Sequence, residues 1–301
     1  MPDTRIKIDR DLCIGCGECI RVCPSGIIEM SGDKAEVTGE GSMLCGHCAA
    51  VCPTEAIAVA PLSEDTGRYA TFVTDGAWLP HGSGDLPGLA RLMRSRRSCR
   101  NYDQRPVPRE MLDDLIKLGI SAPSGTNSQK WTFTVFPDRE SVLELGDSIA
   151  GFFRDLNRKA STAWLRKGLR LIGKRELSDY HANYYAKVQD ALKRWDEQGQ
   201  DLLFHGAPAA IAVGSAPGAS CPAEDALLAA GQMLLAAHAM GLGTCLIGYA
   251  VAAMKADMKL REAAGIPAEE DVHAVIALGF PDEKYSRASD RLPPLIRHHG
   301  S

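Results

Sequence analysis

The sequence has no excess of basic residues. Its 34 Lys and Arg are outnumbered by 38 Asp and Glu, which gives a formal net charge of −4. Nucleic-acid binding needs a strong basic bias, so we expect no nucleic-acid partner. The acidic excess lies in residues 1–60, which hold nine acidic and five basic residues, while the remainder of the chain is balanced. This uneven charge indicates an acidic N-terminal module followed by a neutral body.

The sequence also lacks an uninterrupted run of large hydrophobic residues. The most apolar stretch, residues 226–250, is long enough to cross a bilayer, but it is rich in Ala and Gly and contains Gln232 and His238. We therefore expect a closely packed buried helix, with His238 as a core residue, and no membrane span. Residues 1–11 lack the apolar core of a signal peptide, which predicts a cytoplasmic protein.

Recognisable catalytic side chains are missing as well. No G-x-G-x-x-G fingerprint follows a predicted strand, so a Rossmann-type NAD site is not indicated. No acid–base pair and no activated nucleophile stand out. Where a bound cofactor carries the chemistry, the protein supplies its position and its electrostatics. We therefore expect residues that bind a cofactor and no catalytic side chain.

Cysteines, in contrast, are abundant and unevenly placed. Seven of the ten lie between positions 13 and 52, in short-spaced groups that are typical of metal ligation rather than of disulfides. Cys13, Cys16, Cys19 and Cys23, followed by Pro24, form a C-x2-C-x2-C-x3-C-P run. In such a run three thiolates hold one iron–sulfur cluster and the fourth reaches a different cluster. Structural zinc, the alternative, prefers two separated C-x2-C pairs.

An internal repeat strengthens this interpretation. The segment that begins at Cys16 recurs 29 residues later at Cys45, with three cysteines and a proline at the same spacing. Residues 1–60 therefore resemble a bacterial two-cluster ferredoxin. The resemblance implies two [4Fe–4S] clusters, the first held by Cys13, Cys16, Cys19 and Cys52 and the second by Cys23, Cys45 and Cys48.

The second half of the repeat departs from the first at one position. Ser42 stands 29 residues after Cys13, where a fourth cysteine is expected. An oxygen ligand is harder than a thiolate and changes the stability and potential of a cluster. Three possibilities remain open: a [4Fe–4S] cluster completed by Ser42 or water, a [3Fe–4S] cluster, or no second cluster.

The length of 301 residues favours about two domains. Residues 61–85 are rich in Pro and Gly and predict a linker that lies against the body. Residues 86–301 form the second domain. Hydrophobic periodicity there predicts helices at 89–97, 110–118 and 226–240 and strands at 131–136, 207–213 and 272–278. This pattern indicates an α+β fold, with a long helical segment at residues 149–203.

This second domain contains several polar motifs. Arg96, Arg97, Ser98 and Arg100 fall within five residues, and guanidinium groups pair bidentately with phosphate oxygens. Residues 121–131 are small, hydroxylated or amide side chains ahead of a Trp, which suits a flat polar heterocycle. A glycine-rich segment at 240–248 follows the apolar helix, and residues 278–281 precede three cations, Lys284, Arg287 and Arg291.

In this order and spacing, residues 86–301 resemble the nitroreductase family. The resemblance implies an FMN-dependent homodimer with the flavin at the subunit interface and a central, mostly antiparallel sheet flanked by helices. It places Arg96, Arg97 and Ser98 near the FMN phosphate and ribityl chain. Arg100 lies near the N1/O2 edge of the ring, where a positive charge stabilises the reduced flavin.

The other implied FMN-binding residues lie further along the chain. The loop that covers the ring, often supplied by the partner subunit in this family, includes Pro123, Ser124, Gly125, Asn127 and Gln129. Ile247 and Gly248 provide backbone near flavin N5, Arg291 with Lys284 closes the phosphate site, and Arg287 is a further candidate.

Some residues depart from the family pattern. Lys130 stands where proline is common and is either a surface substitution or part of the active-site rim. Cys99, Cys221 and Cys245 are expected to be buried thiols without a redox role. The basic amphipathic segment 164–175 is expected to form a lid, with a membrane surface or an acidic partner as the alternative.

Together the two resemblances imply an iron–sulfur flavoprotein. Electrons would pass from a ferredoxin-like or NAD(P)H donor through the clusters to FMN, and then to a small organic acceptor such as a nitroaromatic, a quinone or an activated alkene. Two alternatives remain. NAD(P)H could reduce a carrier protein through the clusters, or the chain could be a non-catalytic iron–sulfur redox sensor.

Overall fold

The protein is described by a computed structural model that covers residues 1–300. The N-terminal module contains two short antiparallel ribbons and two short helices. Strand β1 pairs with β4 and strand β2 pairs with β3. The bounds of these elements are β1 Ile6–Ile8, α1 Glu18–Val22, β2 Ile28–Ser31, β3 Lys34–Val37, α2 His47–Ala50 and β4 Ile57–Val59.

The sequence repeat of the module is also a structural repeat. Left-handed backbone conformations occur at Gly15 and Gly17 before α1, and again 29 residues later at Leu44 and Gly46 before α2. The left-handed region is costly for a residue with a Cβ atom. Leu44 nevertheless keeps the conformation of its glycine counterpart, with φ 51°. The second cysteine loop therefore repeats the two left-handed positions of the first, despite the change of residue.

The body is built on a four-stranded sheet that is antiparallel throughout, in the order β5-β6-β8-β7. The strands lie close to the predicted ranges, and the expected α+β fold with a central antiparallel sheet is confirmed. Their bounds are β5 Trp131–Phe136, β6 Ala209–Ser215, β7 Gly243–Leu246 and β8 Asp271–Gly279.

Nine helices of the described chain surround this sheet. Because successive strand residues point to opposite faces, β6 divides its side chains between two cores. Ile211 packs with α4 and α9, and Ala210 packs with α5 and α10. The helix bounds are α3 Leu86–Ser95, α4 Arg109–Gly119, α5 Arg139–Ser161, α6 Ala163–Leu171, α7 Glu176–Asn183, α8 Tyr185–Gln198, α9 Pro222–Ala239, α10 Gly248–Ala256 and α11 Met258–Ala263.

Helix α9 is the apolar helix that the sequence predicts. Its buried face consists mainly of alanines, which allow close approach to the sheet, and Met233 fills the gap beside Gly119 of α4. Among the helices of residues 1–300, none combines the length and the apolar character that a bilayer crossing needs.

The segment between module and body is held against helix α4. The buried carboxylate of Asp114 accepts hydrogen bonds from the N–H groups of Ala70 and Thr71 and from the Thr71 hydroxyl, at 2.7–3.0 Å. Lys117 Nζ donates to the Arg68 carbonyl at 2.6 Å. Burial raises the pKa of Asp114, but these hydrogen bonds outweigh it and hold the pKa below its ordinary value.

Candidate iron–sulfur and flavin sites

Four cysteines of the module line one small cavity. Cys13, Cys16 and Cys19 reach it from the loop before and within α1, and Cys52 reaches it from beyond α2. This is the set that the ferredoxin resemblance assigns to the first cluster. Ala56 N–H lies 3.3 Å from the Cys52 sulfur and the Thr54 hydroxyl 3.7 Å from it, so the module also supplies hydrogen bonds to a ligand thiolate.

A second cavity is lined by the remaining three cysteines and by one hydroxyl. Cys23, Cys45 and Cys48 surround it, and Ser42 lines it together with Met43. Ser42 therefore lies beside the three cysteines that the resemblance assigns to the second cluster. Its hydroxyl accepts a hydrogen bond from Leu44 N–H at 3.1 Å, and its own N–H donates to Asp3 at 3.0 Å. The loop is fixed on both sides of the hydroxyl.

The thiols surround two cavities, one with four sulfurs and one with three. Four thiolates are the usual ligand set of a [4Fe–4S] cluster, and a set of three leaves one position for another ligand.

The arginine motif of the body lines a polar cleft of about 750 Å³. The segment that follows α3 forms one side, and residues 283–291 form the other. Arg287 lines this cleft, whereas the exposed Lys284 is absent from its described lining. The predicted FMN-binding residues that the structure brings together here are Arg96, Arg97, Ser98, Arg100 and Arg291.

The electrostatics of this cleft fit an anionic ligand. Arg97 Nη1 is buried, and no acceptor for it exists among residues 1–300. Burial, followed by the neighbouring charges of Arg291 and Arg97, lowers the pKa of Arg96. A buried donor without a partner costs about 1–3 kcal/mol, and three clustered guanidiniums repel one another. A phosphate group would relieve both costs, so the cleft fits the phosphate end of FMN.

A short backbone contact joins the arginine segment to strand β7. Cys99 N–H donates to the Thr244 carbonyl at 2.9 Å, and Ser98 forms a bridge with Thr244. Strand β7 leads into Ile247, which is buried, and into Gly248, which begins helix α10. The first N–H groups of a helix lack intrahelical partners. The arginines and the predicted N5-facing backbone are therefore held on neighbouring segments of one body.

Glu283 holds the arginine segment in position. No sequence motif marks this residue. Its carboxylate accepts from Arg100 N–H at 3.1 Å and from Asn101 Nδ2 at 2.9 Å. Burial favours the neutral form, but hydrogen bonds from Tyr285 and from residues 100 and 101 outweigh it and lower the pKa of Glu283. The ionised carboxylate thus anchors Arg100 at the edge of the cleft.

The predicted flavin loop is anchored by Asp225 of α9. This buried side chain accepts from Gly125 N–H at 2.8 Å and from the Ser128 hydroxyl at 3.4 Å, while its carbonyl accepts from the Trp131 indole at 3.1 Å. A Cβ atom at Gly125 would lie 2.8 Å from the Cys221 sulfur, so this position needs glycine. The loop is a built structure that depends on a residue nearly 100 positions away.

Within one chain this loop does not line the arginine cleft. None of Pro123, Ser124, Gly125, Asn127 and Gln129 is among the described lining residues of that cleft. The loop lies instead against the iron–sulfur module. Asn127 Nδ2 donates to the carbonyl oxygens of Met43 and Leu44 at 2.9 and 3.0 Å.

Several expectations for single residues can be checked here. Cys99 and Cys245 are buried, as expected, and burial raises the pKa of Cys99 to about 11. The expectation for Cys221 is wrong: it precedes α9 at the surface and is exposed. The expectation for His238 is also wrong, because this residue is only half-buried and lines the arginine cleft near the end of α9. Lys130 is exposed.

Two family models match separate parts of the chain. The nitroreductase family model matches residues 93–280, and a 4Fe-4S dicluster domain model matches residues 12–56. A 4-nitrobenzoate reductase of Nocardioides sp. is 27% identical over 224 residues, covering 69% of this chain and 87% of that protein. An iodotyrosine deiodinase of Thermotoga neapolitana is 26% identical over 206 residues, covering 66% and 93%.

A solved structure is also similar. It is a nitroreductase with bound FMN from Bacteroides fragilis, with 21% sequence identity and a TM-score of 0.48, and the match covers 70% of this chain and 95% of that one.

Proposed function

We propose that the iron–sulfur clusters of this protein supply its flavin with electrons. The chain belongs to the nitroreductase family and carries a 4Fe-4S dicluster domain. It is therefore an FMN-dependent oxidoreductase with iron–sulfur clusters. The observation that carries this proposal is the contact between the second cysteine loop and the loop of the body at residues 124–129. A module that only stabilised the fold would have no need to present a cluster loop to the flavin loop.

The proposed reaction begins with a low-potential donor, either a ferredoxin-like protein or NAD(P)H. An iron–sulfur cluster carries one electron at a time, and full reduction of FMN takes two. The residues of the chain bind the cofactor and set its electrostatics: the arginines of the cleft hold the phosphate, and Arg100 provides a positive charge for the reduced ring. Two electrons then leave to a small organic acceptor.

An aromatic acceptor with an electron-withdrawing substituent is the favoured class. The related proteins are named for 4-nitrobenzoate and iodotyrosine, which are both substituted aromatics. A cavity of about 230 Å³ in this chain is lined by Phe153, Trp195 and Tyr249 among mainly apolar neighbours. Tyr249 directly follows Gly248, and aromatic walls suit a flat ring. Quinones and activated alkenes are the other candidates.

A homodimer is part of the proposal. The cleft that holds the arginines and the loop at 123–129 lie apart in one chain, although the family resemblance assigns both to one flavin. A second copy that brings its own loop to the cleft would complete the site. We also propose that the protein acts in the cytoplasm.

The electron route is tested by removing the first cluster. Parent protein and a Cys19→Ala variant, both loaded with FMN, are mixed anaerobically with reduced ferredoxin in a stopped-flow instrument. We expect the flavin of the variant to be reduced much more slowly, while Cys221→Ala, which removes an exposed thiol outside the module, behaves like the parent. Equal rates in all three proteins would show that the clusters are not on the path.

One observation favours the opposite direction of flow as a second candidate. The module carries a net charge of −4, and an acidic surface suits a basic carrier protein that accepts electrons. Stopped-flow experiments with NADH, NADPH and reduced ferredoxin, each tested separately, distinguish the two directions. Flavin reduction by NAD(P)H that precedes cluster reduction would favour outward flow.

A further inference from the structure

The contact between module and body is made by one amide side chain and two backbone carbonyls. Both hydrogen bonds come from Asn127 Nδ2, at 2.9 Å to Met43 and 3.0 Å to Leu44. Only a donor can make this contact, because both partners are carbonyl oxygens. Asn127 is part-buried, and its contact spans more than 80 positions of sequence.

Leu44 connects this contact to the second cavity. Its carbonyl accepts from Asn127, and its N–H donates to the hydroxyl of Ser42 at 3.1 Å. Ser42 lines the cavity beside Cys45 and Cys23. A chain of two hydrogen bonds through a single residue therefore joins the flavin loop to the non-cysteine position of the second cluster site.

The first cysteine loop is placed differently from the second, because the module itself covers it. Its counterpart of Leu44 is Gly15, and a Cβ atom at Gly15 would lie only 2.1 Å from the carbonyl oxygen of Asp33. The β2–β3 turn thus covers the first cysteine loop from within the module. Both positions have a left-handed backbone. Gly15 is covered by the β2–β3 turn of the module, whereas Leu44 contacts Asn127 of the body.

The flavin loop that carries Asn127 is rigid enough to position it. Thr126, Asn127 and Gln129 all have left-handed backbone conformations, with φ of 50°, 53° and 49°. Such conformations are costly for residues other than glycine and persist only where the surroundings fix them. The buried Asp225 supplies that restraint through Gly125 and Ser128.

We propose that Asn127 is a positioning residue that docks the second cysteine loop onto the flavin loop, and that this loop, rather than the first, is the exit of the module toward the flavin. The proposal rests on the proposed function, since it names the point at which the electrons leave the module. It assigns Asn127 a role toward the module in addition to the flavin-covering role that the family resemblance implies.

The test compares Asn127→Asp with Asn127→Ala. Aspartate keeps the shape of asparagine and tolerates the left-handed region, but its carboxylate has no donor and repels the two carbonyls. Two lost hydrogen bonds correspond to roughly a tenfold change in the docked population. We expect electron transfer from the reduced clusters to the flavin to slow by at least about tenfold in the aspartate variant. In the alanine variant it should slow by at most about tenfold. A merely steric role predicts the reverse order.

Three readouts besides turnover accompany this comparison. The FMN content and the visible spectrum of each variant are measured, and the rate of cluster-to-flavin transfer is divided by the rate of photoreduction of the bound flavin, with EDTA as the sacrificial donor, which bypasses the clusters. This ratio should fall about tenfold in the aspartate variant. Hydrogen–deuterium exchange at residues 42–46 should increase. The control is Lys117→Met, which removes a different side-chain contact to a backbone carbonyl, at Arg68. It should transfer electrons within about twofold of the parent.

The outcomes separate this inference from the proposed function. If parent and Cys19→Ala reduce their flavin equally, the electron route fails, whatever Asn127 does. If the parent depends on its clusters but Asn127→Asp transfers at the parental rate, the docking role alone is overturned. Equal slowing of cluster transfer and photoreduction would assign Asn127 to the flavin and would likewise overturn the docking role.

Discussion

Residues 13–52 supply every thiol of both cluster cavities, together with the Ser42 hydroxyl. The arginine cleft, in contrast, draws on the segment after α3, on His238 of α9 and on residues 283–291. The loop at residues 123–129, which the family resemblance also assigns to the flavin, lies against the module. The thiols of the cluster cavities come from 40 consecutive positions, whereas the flavin site, in our proposal, is assembled from separated segments and from two chains.

This difference has a physical origin. A cluster is held by covalent bonds to thiolates at short spacing, so a compact loop suffices. A flavin is large and is held by many weak polar contacts, which must converge from elements that the sheet positions. In our proposal the module is therefore an electron carrier whose ligands lie close together in sequence, while the flavin site depends on the whole body and on what packs against it.

The largest effect is expected at Arg97, whose Nη1 is buried beside the other arginines of the cleft. Replacing Arg97 by Ala removes the guanidinium whose Nη1 lacks a partner in the described chain. A charge-assisted hydrogen bond contributes about 1.5–3 kcal/mol, so FMN affinity should fall roughly 10- to 150-fold in fluorescence titrations of the apoprotein. The iron content should not change, because the module completes its sites without the body.

The matched control is Arg94→Ala, three positions earlier. Arg94 is exposed and lies 3.8 Å from the exposed Asp290. Exposed pairs of this kind contribute little, so this variant should bind FMN like the parent. If both variants bind FMN normally, the cleft is not the phosphate site, and the contrast between the two redox sites is wrong. Loss of iron in Arg97→Ala would also contradict this contrast, because the cluster sites of the module would then depend on the body.

The same contrast determines what could be read from the sequence. The ferredoxin resemblance, which rests on the cysteine run and the repeat, implied the two cysteine sets, and each set lines one cavity. The repeat also identified Ser42 as the exception. The strands at 131–136 and 271–279 were predictable from their apolar runs. The arginine motif was recognisable only together with the later polar segments, because their common order and spacing carry the nitroreductase resemblance.

The residues that could not be predicted act through long-range packing. Glu283 and Asp225 hold the arginine segment and the flavin loop from distances of about 100 residues or more, and no local pattern marks either one. His238 was misjudged because an apolar helix carries it to its last turn, where the side chain reaches the cleft. The contact of Asn127 with the module depends on docking, which hydrophobic periodicity does not describe.

A smaller effect is expected at the tether between module and body. In Asp114→Asn, one oxygen of the acceptor that holds Ala70 and Thr71 is replaced by an amide donor. The loss is roughly 1 kcal/mol, or about fivefold in the population of released linker. Trypsin should cleave this variant about fivefold faster after Arg68, the single basic residue of segment 61–85. Unchanged cleavage would show that the linker is held by other contacts.

The pH dependence of the tether follows from the sign of the Asp114 shift. Its pKa is lowered in the folded protein from the ordinary 3.8, so its stabilising contribution is complete above that value. The contribution is lost only as the pH falls through the lowered pKa. Between pH 6 and 8 the cleavage ratio of variant to parent should therefore stay constant. A ratio that changes in this range would assign the tether to another group.

The smallest change is expected at Ser42, where the two halves of the module differ. If the hydroxyl is the fourth ligand, Ser42→Ala should lose roughly one iron in eight and acquire the paramagnetic signature of a three-iron cluster, whereas Ser42→Cys should keep all eight. Anaerobic iron and sulfide counting with electron paramagnetic resonance measures both. Full iron in the alanine variant would assign the fourth position to solvent. Four irons in the parent and eight in the cysteine variant would mean that the second cavity is empty without a fourth thiolate, and the module would then be a one-cluster carrier whose exit cannot lie at Leu44.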